Sequence, residues 1–159
     1  MAPKLYHIIL GRVKSLEQRP HRSLGYCGGR HCATIQRMRN TTLQILADRA
    51  ARETWTVLVN LYPNILFNIT PKVILNNRLK TTAGRAFIEH DPQYVDLCTE
   101  LMEQYTEEFC NVIIPHELAH LAAYTVYNDS GHRKGWKTIM RQLGLEPEIY
   151  HNMVNHKRS

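Results

Sequence analysis

The run His116-Glu117-Leu118-Ala119-His120 constrains this chain more than any other feature. Residues four apart on an α-helix lie one turn along the axis and about 40° apart in projection, so both imidazoles can reach one metal ion. Glu117 leans to the same side. Neutral imidazole is a good zinc ligand, and a carboxylate close to the metal can take a proton from water bound there. The flanking residues are nearly all apolar: Val112, Ile113, Ile114, Leu121, Ala122, Ala123, Val126 and Tyr127. A helix that is hydrophobic almost all round is a buried one. Two histidines and a carboxylate are costly there unless something satisfies them, and a metal ion does so. The competing reading is a core helix whose three polar side chains each find a separate hydrogen-bond partner. Pro115 suits the first turn of a helix, where its missing N–H is not needed.

A catalytic zinc takes three protein ligands and keeps one position open. His132 is the expected third ligand. Asn128-Asp129-Ser130-Gly131 breaks the helix and lets the chain turn back, and His132 heads a stripe of Trp136, Ile139, Met140 and Leu143 that would dock the next helix on the core. Asp129 and Glu146 are the alternatives, although Glu146 stands beside Pro147 in an expected loop.

The 159 residues, 43% of them hydrophobic, are enough for one globular domain without disulfide staples. No apolar run is long enough to span a bilayer, so no membrane contact is expected. The first residues, Met1-Ala2-Pro3-Lys4-Leu5-Tyr6-His7, lack the apolar core of a secretory signal. Four cysteines without such a signal point to a reducing compartment, so the cytoplasm is expected, or a host's cytoplasm for a viral chain. The net charge of +6 is uneven. Residues 1–40 carry eight Lys/Arg against Glu17 alone, whereas residues 41–159 are close to neutral.

Residues 1–33 therefore read as a basic N-terminal arm, residues 34–152 as the folded domain and 153–159 as a short tail. A helical pattern runs from about Thr34 to Leu61, with the stripe Leu43, Leu46, Ala50, Val57, Leu58 and Leu61, and Pro63 should stop it. Strands are expected at Ile65–Ile69 and Lys72–Leu75. A hairpin is expected from Thr81–His90 and Tyr94–Cys98, with Asp91-Pro92 in its turn. Thr99 can cap a helix that carries Glu100 and Glu103 early, as the helix dipole prefers. A final helix, about Arg133–Leu143, should end at Gly144. Helix, short sheet, then helices is an α+β pattern.

His116-Glu117-Leu118-Ala119-His120, followed by Gly131-His132 and Trp136, resembles the SprT-like (Spartan-type) family of zinc metallopeptidases. Thr82-Ala83-Gly84-Arg85-Ala86-Phe87 and Ile114-Pro115 resemble segments of the same family, and the likeness spans about residues 41–152. The resemblance implies a zincin-like domain, with a short three- to four-stranded sheet packed on an active-site helix and flanking helices. It implies one zinc on His116, His120 and His132, Glu117 as general base, and a substrate cleft bordered by the strand near Phe87. It also implies cleavage of DNA-associated proteins by zinc-activated water. Two departures stand out. The paired cysteines of the C-terminal zinc ribbon found in many relatives are absent. The arm has no family counterpart, and Cys27, Cys32 and His21 could hold a second zinc, although ordinary reduced cysteines are the expectation.

The second electrophile that a tetrahedral intermediate needs could be His151, Tyr124, Tyr127 or Tyr150. Arg133, Lys134, Lys137 and Arg141 put positive charge along the last helix, and with the arm could track a DNA backbone; a solvated face is the alternative. The alternative function is a zinc-stabilised nucleic-acid- or protein-binding accessory factor with little peptidase activity. The intact Glu117 argues against it, because a purely structural site does not need one.

Overall fold

The computed structural model describes residues 29–147, with side chains from residue 33 onward. The arm up to residue 28, with Cys27 and His21, the side chain of Cys32, the candidates Tyr150 and His151, and the tail 153–159 lie outside the described residues.

Helix α1, Gly29–Leu61, begins five residues ahead of the expected Thr34, so the last part of the expected arm is helical. Its buried side follows helical spacing: Leu43, Ala47, Ala50, Ala51, Trp55 and Leu58. Leu61, expected in that stripe, is 42% exposed. Pro63 does not lead into a strand. It opens a one-turn helix α2, Pro63–Leu66, where a missing N–H does no harm. The strand expected at Ile65–Ile69 is absent for a local reason: Leu66 N–H bonds back to Tyr62 O at 3.0 Å and Ile69 N–H to Leu66 O at 3.0 Å. These turn bonds consume donors that a strand ladder would require.

Three strands follow: β1 (Lys72–Asn76), β2 (Gly84–Phe87) and β3 (Tyr94–Cys98). They form one sheet in the order β1-β3-β2. β3 is central and parallel to β1, and β2 pairs with it antiparallel, with Gly84 opposite Leu97 and Ala86 opposite Val95. The expected hairpin is therefore present, with Asp91-Pro92 in its connection, and β2 is an edge strand. Alternation sends Val73, Val95 and Leu97 into the core.

Helix α3 (Thr99–Gln104) starts where β3 ends. Thr99 is not its cap: Cys98 holds that position, and Thr99 is the buried first helical residue with Oγ1 unpartnered. With no loop residue between strand and helix, the threonine side chain has no room to turn back onto the first N–H groups. Glu100 and Glu103 look outward instead, to Lys80 at 2.6 Å and Arg39 at 3.5 Å. After a single turn, α4 (Thr106–Glu108), a π-helical stretch over Phe109–Ile113 runs straight into α5 (Ile114–Tyr127). Helix α6 is Lys134–Gln142, and Gly144 follows with φ +77°, a left-handed conformation that glycine takes without strain.

The class is α+β. α5 is the hub, in contact with α1, the π stretch, β2 and α6. Leu118, Ala119, Leu121, Ala122 and Ala123 of α5 are fully buried, as are Phe109, Trp136 and Ile139. Each large side chain of this kind contributes about 1.5–3 kcal/mol by leaving water. Among the described residues no helix is long and apolar enough to cross a membrane.

Candidate metal centre

α5 presents His116 and His120 from successive turns of one face, and its end is defined by Asn128 in the left-handed conformation (φ 54°). The chain then folds back through Asp129–Arg133 and delivers His132 to the same point. His132 Nε2 lies 3.0 Å from His120 Nε2 and 3.2 Å from His116 Nε2. Among the described residues these three form the one cluster of His, Cys, Asp or Glu side chains able to share a metal ion.

The geometry fits a metal. Ligand nitrogens about 2.0–2.1 Å from a tetrahedral zinc stand about 3.3 Å apart, close to the two separations here. Facing imidazole nitrogens at this distance repel unless a proton or a cation lies between them. One ion among the three uses every lone pair. The protonation states agree. Burial first, then the neighbouring His116 and His132, pushes His120 down to about 3. Burial also lowers His132, against an opposing pull from Asp129. Neutral imidazoles are the form a metal requires.

Trp136 is the floor of the cluster. Its indole is fully buried, stacks on His120 (centroids 5.4 Å, 22°) and meets His116 and His132 edge-on at 4.8 and 4.4 Å. Its Nε1–H donates to the His116 carbonyl at 3.4 Å.

Glu117 is 8% exposed and lies between α5 and the edge strand β2. Burial raises its carboxyl to about 7, partly offset by a hydrogen bond from the Ala86 backbone N–H. Gly84 packs directly on its side chain.

The two alternative third ligands are elsewhere. Asp129 turns its carboxylate to backbone donors, with Oδ1 3.0 Å from Gly131 N and Oδ2 3.1 Å from Trp136 N. Burial alone would raise this carboxyl, but N–H bonds from Gly131, Trp136, Gly135 and Arg133 outweigh it and hold it below the usual range. Glu146 is exposed beyond α6 and belongs to no such cluster. Of the expected electrophiles, the Tyr127 hydroxyl is 2.7 Å from that of Tyr62, which donates to Gln142 Oε1 at 2.6 Å. Tyr124 sits one turn beyond His120, half-buried.

Lys134 and Arg141 are exposed on α6, away from buried Trp136, Ile139 and Met140; Arg133 is exposed just before the helix, and Lys137 is half-buried. Lys137 is near enough to His132 to lower its pKa. Sequence reasoning missed the contacts of Gly84 and Ala86 with Glu117, and the part played by Asp129. They join segments remote in sequence or involve backbone donors, and neither leaves a residue-type pattern. Trp136 carried a signal, four residues after His132, as part of the apolar stripe and of the family resemblance, but its contact with all three histidines was not legible.

A family model described as the SprT-like family matches residues 58–156. Protein SprT of Glaesserella parasuis serovar 5 is 32% identical over 92 residues, which cover 55% of this chain and 58% of that protein. Protein SprT of Photorhabdus laumondii is 34% identical over 86 residues, 53% of this chain and 42% of its own length. Protein SprT of Vibrio parahaemolyticus is 28% identical over 108 residues, 67% and 56% of the two chains. The chain thus spans about half the length of the curated relatives it matches. No solved structure matches it.

Proposed function

The chain belongs to the SprT-like family, and from that premise we propose that it is a zinc-dependent metallopeptidase of zincin type that cleaves DNA-associated proteins. His116, His120 and His132 would hold the zinc, and Glu117 would be the general base. One observation carries the reading: His132 Nε2 stands within hydrogen-bonding distance of both His116 Nε2 and His120 Nε2, beside a buried glutamate that no lysine, arginine or histidine pairs among the described residues.

Bound zinc supplies Lewis acidity, which acidifies water and polarises a carbonyl. The rest falls to the protein. Glu117 accepts the proton of the attacking water and returns it to the leaving amine. Ala86 N–H and the close wall at Gly84 hold its carboxylate in place while it does so. β2 leaves one edge unpaired by the sheet, so an extended peptide can lie along it and put its scissile bond beside Glu117. Trp136 keeps water from the rear of the site. The basic outer face of α6, next to His132, supports DNA as the second partner, because phosphates bound there would bring an attached protein to the cleft.

The test combines zinc content by elemental analysis with cleavage of a protein crosslinked to DNA, using full-length untagged chain. About one zinc per chain with cleavage is expected, and Glu117→Gln should keep the zinc and lose turnover. Folded protein without zinc, or cleavage that survives Glu117→Gln in a clean preparation, overturns the assignment. Zinc bound without cleavage would favour the accessory-factor reading.

A further inference from the structure

His132 reaches the cluster from a loop, and there its ring meets His116, His120 and, edge-on, Trp136; the path of the loop itself is held by backbone bonds. That path is set three residues earlier. Asp129 is 5% exposed, and its two carboxylate oxygens gather backbone N–H groups from both sides of His132. Gly131 N lies before the histidine, at 3.0 Å from Oδ1; Trp136 N lies after it, at 3.1 Å from Oδ2, and Gly135 and Arg133 N–H add to the set. The same carboxylate therefore fastens the turn and caps the first turn of α6. Its own backbone is tied to α5 by Asp129 N–H to Ala123 O at 3.2 Å. The fit is tight. A methyl group on Gly135 would stand 3.0 Å from Asp129 Oδ2 and 2.8 Å from Tyr127 Cβ.

From this arrangement we infer that Asp129 is the positioning residue for His132: it wraps the backbone around the third ligand and aims it at the ion without touching the ion itself. The inference rests on the metal reading above. Ligand-supporting groups of this kind are worth about ten- to a hundred-fold in metal affinity. Asparagine is the informative replacement. It keeps the size but sets an NH2 against backbone N–H donors, so the set cannot be satisfied.

The experiment is a double-mutant cycle on the apo full-length chain, with zinc affinity read by competition with a chromophoric chelator. Asp129→Asn should weaken zinc about ten- to a hundred-fold, and the visible spectrum of its Co2+ form should approach that of His132→Ala. In the His132→Ala background, Asp129→Asn should cost almost nothing further, because its effect acts through that histidine. A merely structural residue would weaken both backgrounds equally. If Asp129→Asn does not fold, Gly135→Ala, which crowds the same carboxylate, goes through the same cycle. Wild-type chain without zinc overturns the metal reading itself. Zinc on the wild type with unchanged affinity in the variant, or a loss that persists in full without His132, overturns the positioning role alone.

Discussion

Gly84 and Glu117 are in such close contact that a Cβ on the glycine would lie 2.8 Å from Glu117 Cγ and 3.0 Å from its Oε1. The edge strand can approach α5 this closely only because residue 84 has no side chain. The Ala86 N–H that bonds the same carboxylate comes from the same strand. Strand and glutamate are thus a unit.

Gly84→Ala is expected to push the Glu117 carboxylate off its seat while leaving the three histidines alone. Overpacking of this kind costs about 1–3 kcal/mol of stability, and a general base misplaced by about 1 Å can cost about a hundred-fold in rate. Zinc content should not change. The kcat of the proposed peptidase activity together with metal analysis checks this; full activity in the variant would mean that Glu117 tolerates displacement.

Trp136→Phe should weaken both the fold and the metal site. It removes the Nε1–H bond to His116 O and thins the floor beneath the three rings. A loss of about 1–3 kcal/mol is expected for opening a cavity in the core. On the proposed metal site, zinc binds the folded state and should raise Tm less in the variant than in the wild type. Thermal melts with and without zinc give both quantities.

Charge on α6 can be tested through salt. If phosphates lie along it, Lys134→Glu with Arg141→Glu should weaken binding of a DNA duplex and flatten its salt dependence by about 0.9 log units per lost phosphate contact. Unchanged affinity and slope would leave that face merely solvated.

Alkali should unfold the chain earlier than its composition suggests. Burial raises the Cys110 thiol to about 11, and burial with the Tyr127 hydrogen bond raises Tyr62 to about 12. Both groups stay protonated longer folded than unfolded, where they titrate near about 8.5 and 10. Their contribution is therefore complete below about pH 8.5 and is lost as pH rises through about 11–12. Urea midpoints measured from pH 8 to 11 should fall, and Tyr62→Phe should fall less steeply. Mass spectrometry should also find Cys110 slow to alkylate at pH 8.

Much of this was legible in the order of residues. His116 and His120 share a helix face by periodicity alone, and the breaker Asn128 with the stripe Trp136, Ile139 and Met140 marked the return that brings His132 back. The β2–β3 hairpin was readable from its alternation around Asp91-Pro92. Such signals are local, because helix and strand periods impose them within one or two turns. The expected strand after Pro63 and the Thr99 cap failed where local preference met a particular chain path: turn bonds closed around Tyr62, and β3 ran into α3 without a loop.

The sequence by itself determined the chemistry on offer: two imidazoles and a carboxylate on one apolar helix, with a third histidine beyond a break. Only the tertiary structure decided how those groups are held. Gly84 meets Glu117 across 33 positions of sequence, Trp136 underlies three histidines at once, and Asp129 spends its charge on backbone amides instead of a metal. The physical reason is that close packing and backbone hydrogen bonds depend on where remote segments meet. Any small residue can make a close approach and any N–H can donate, so residue type alone leaves no trace of either.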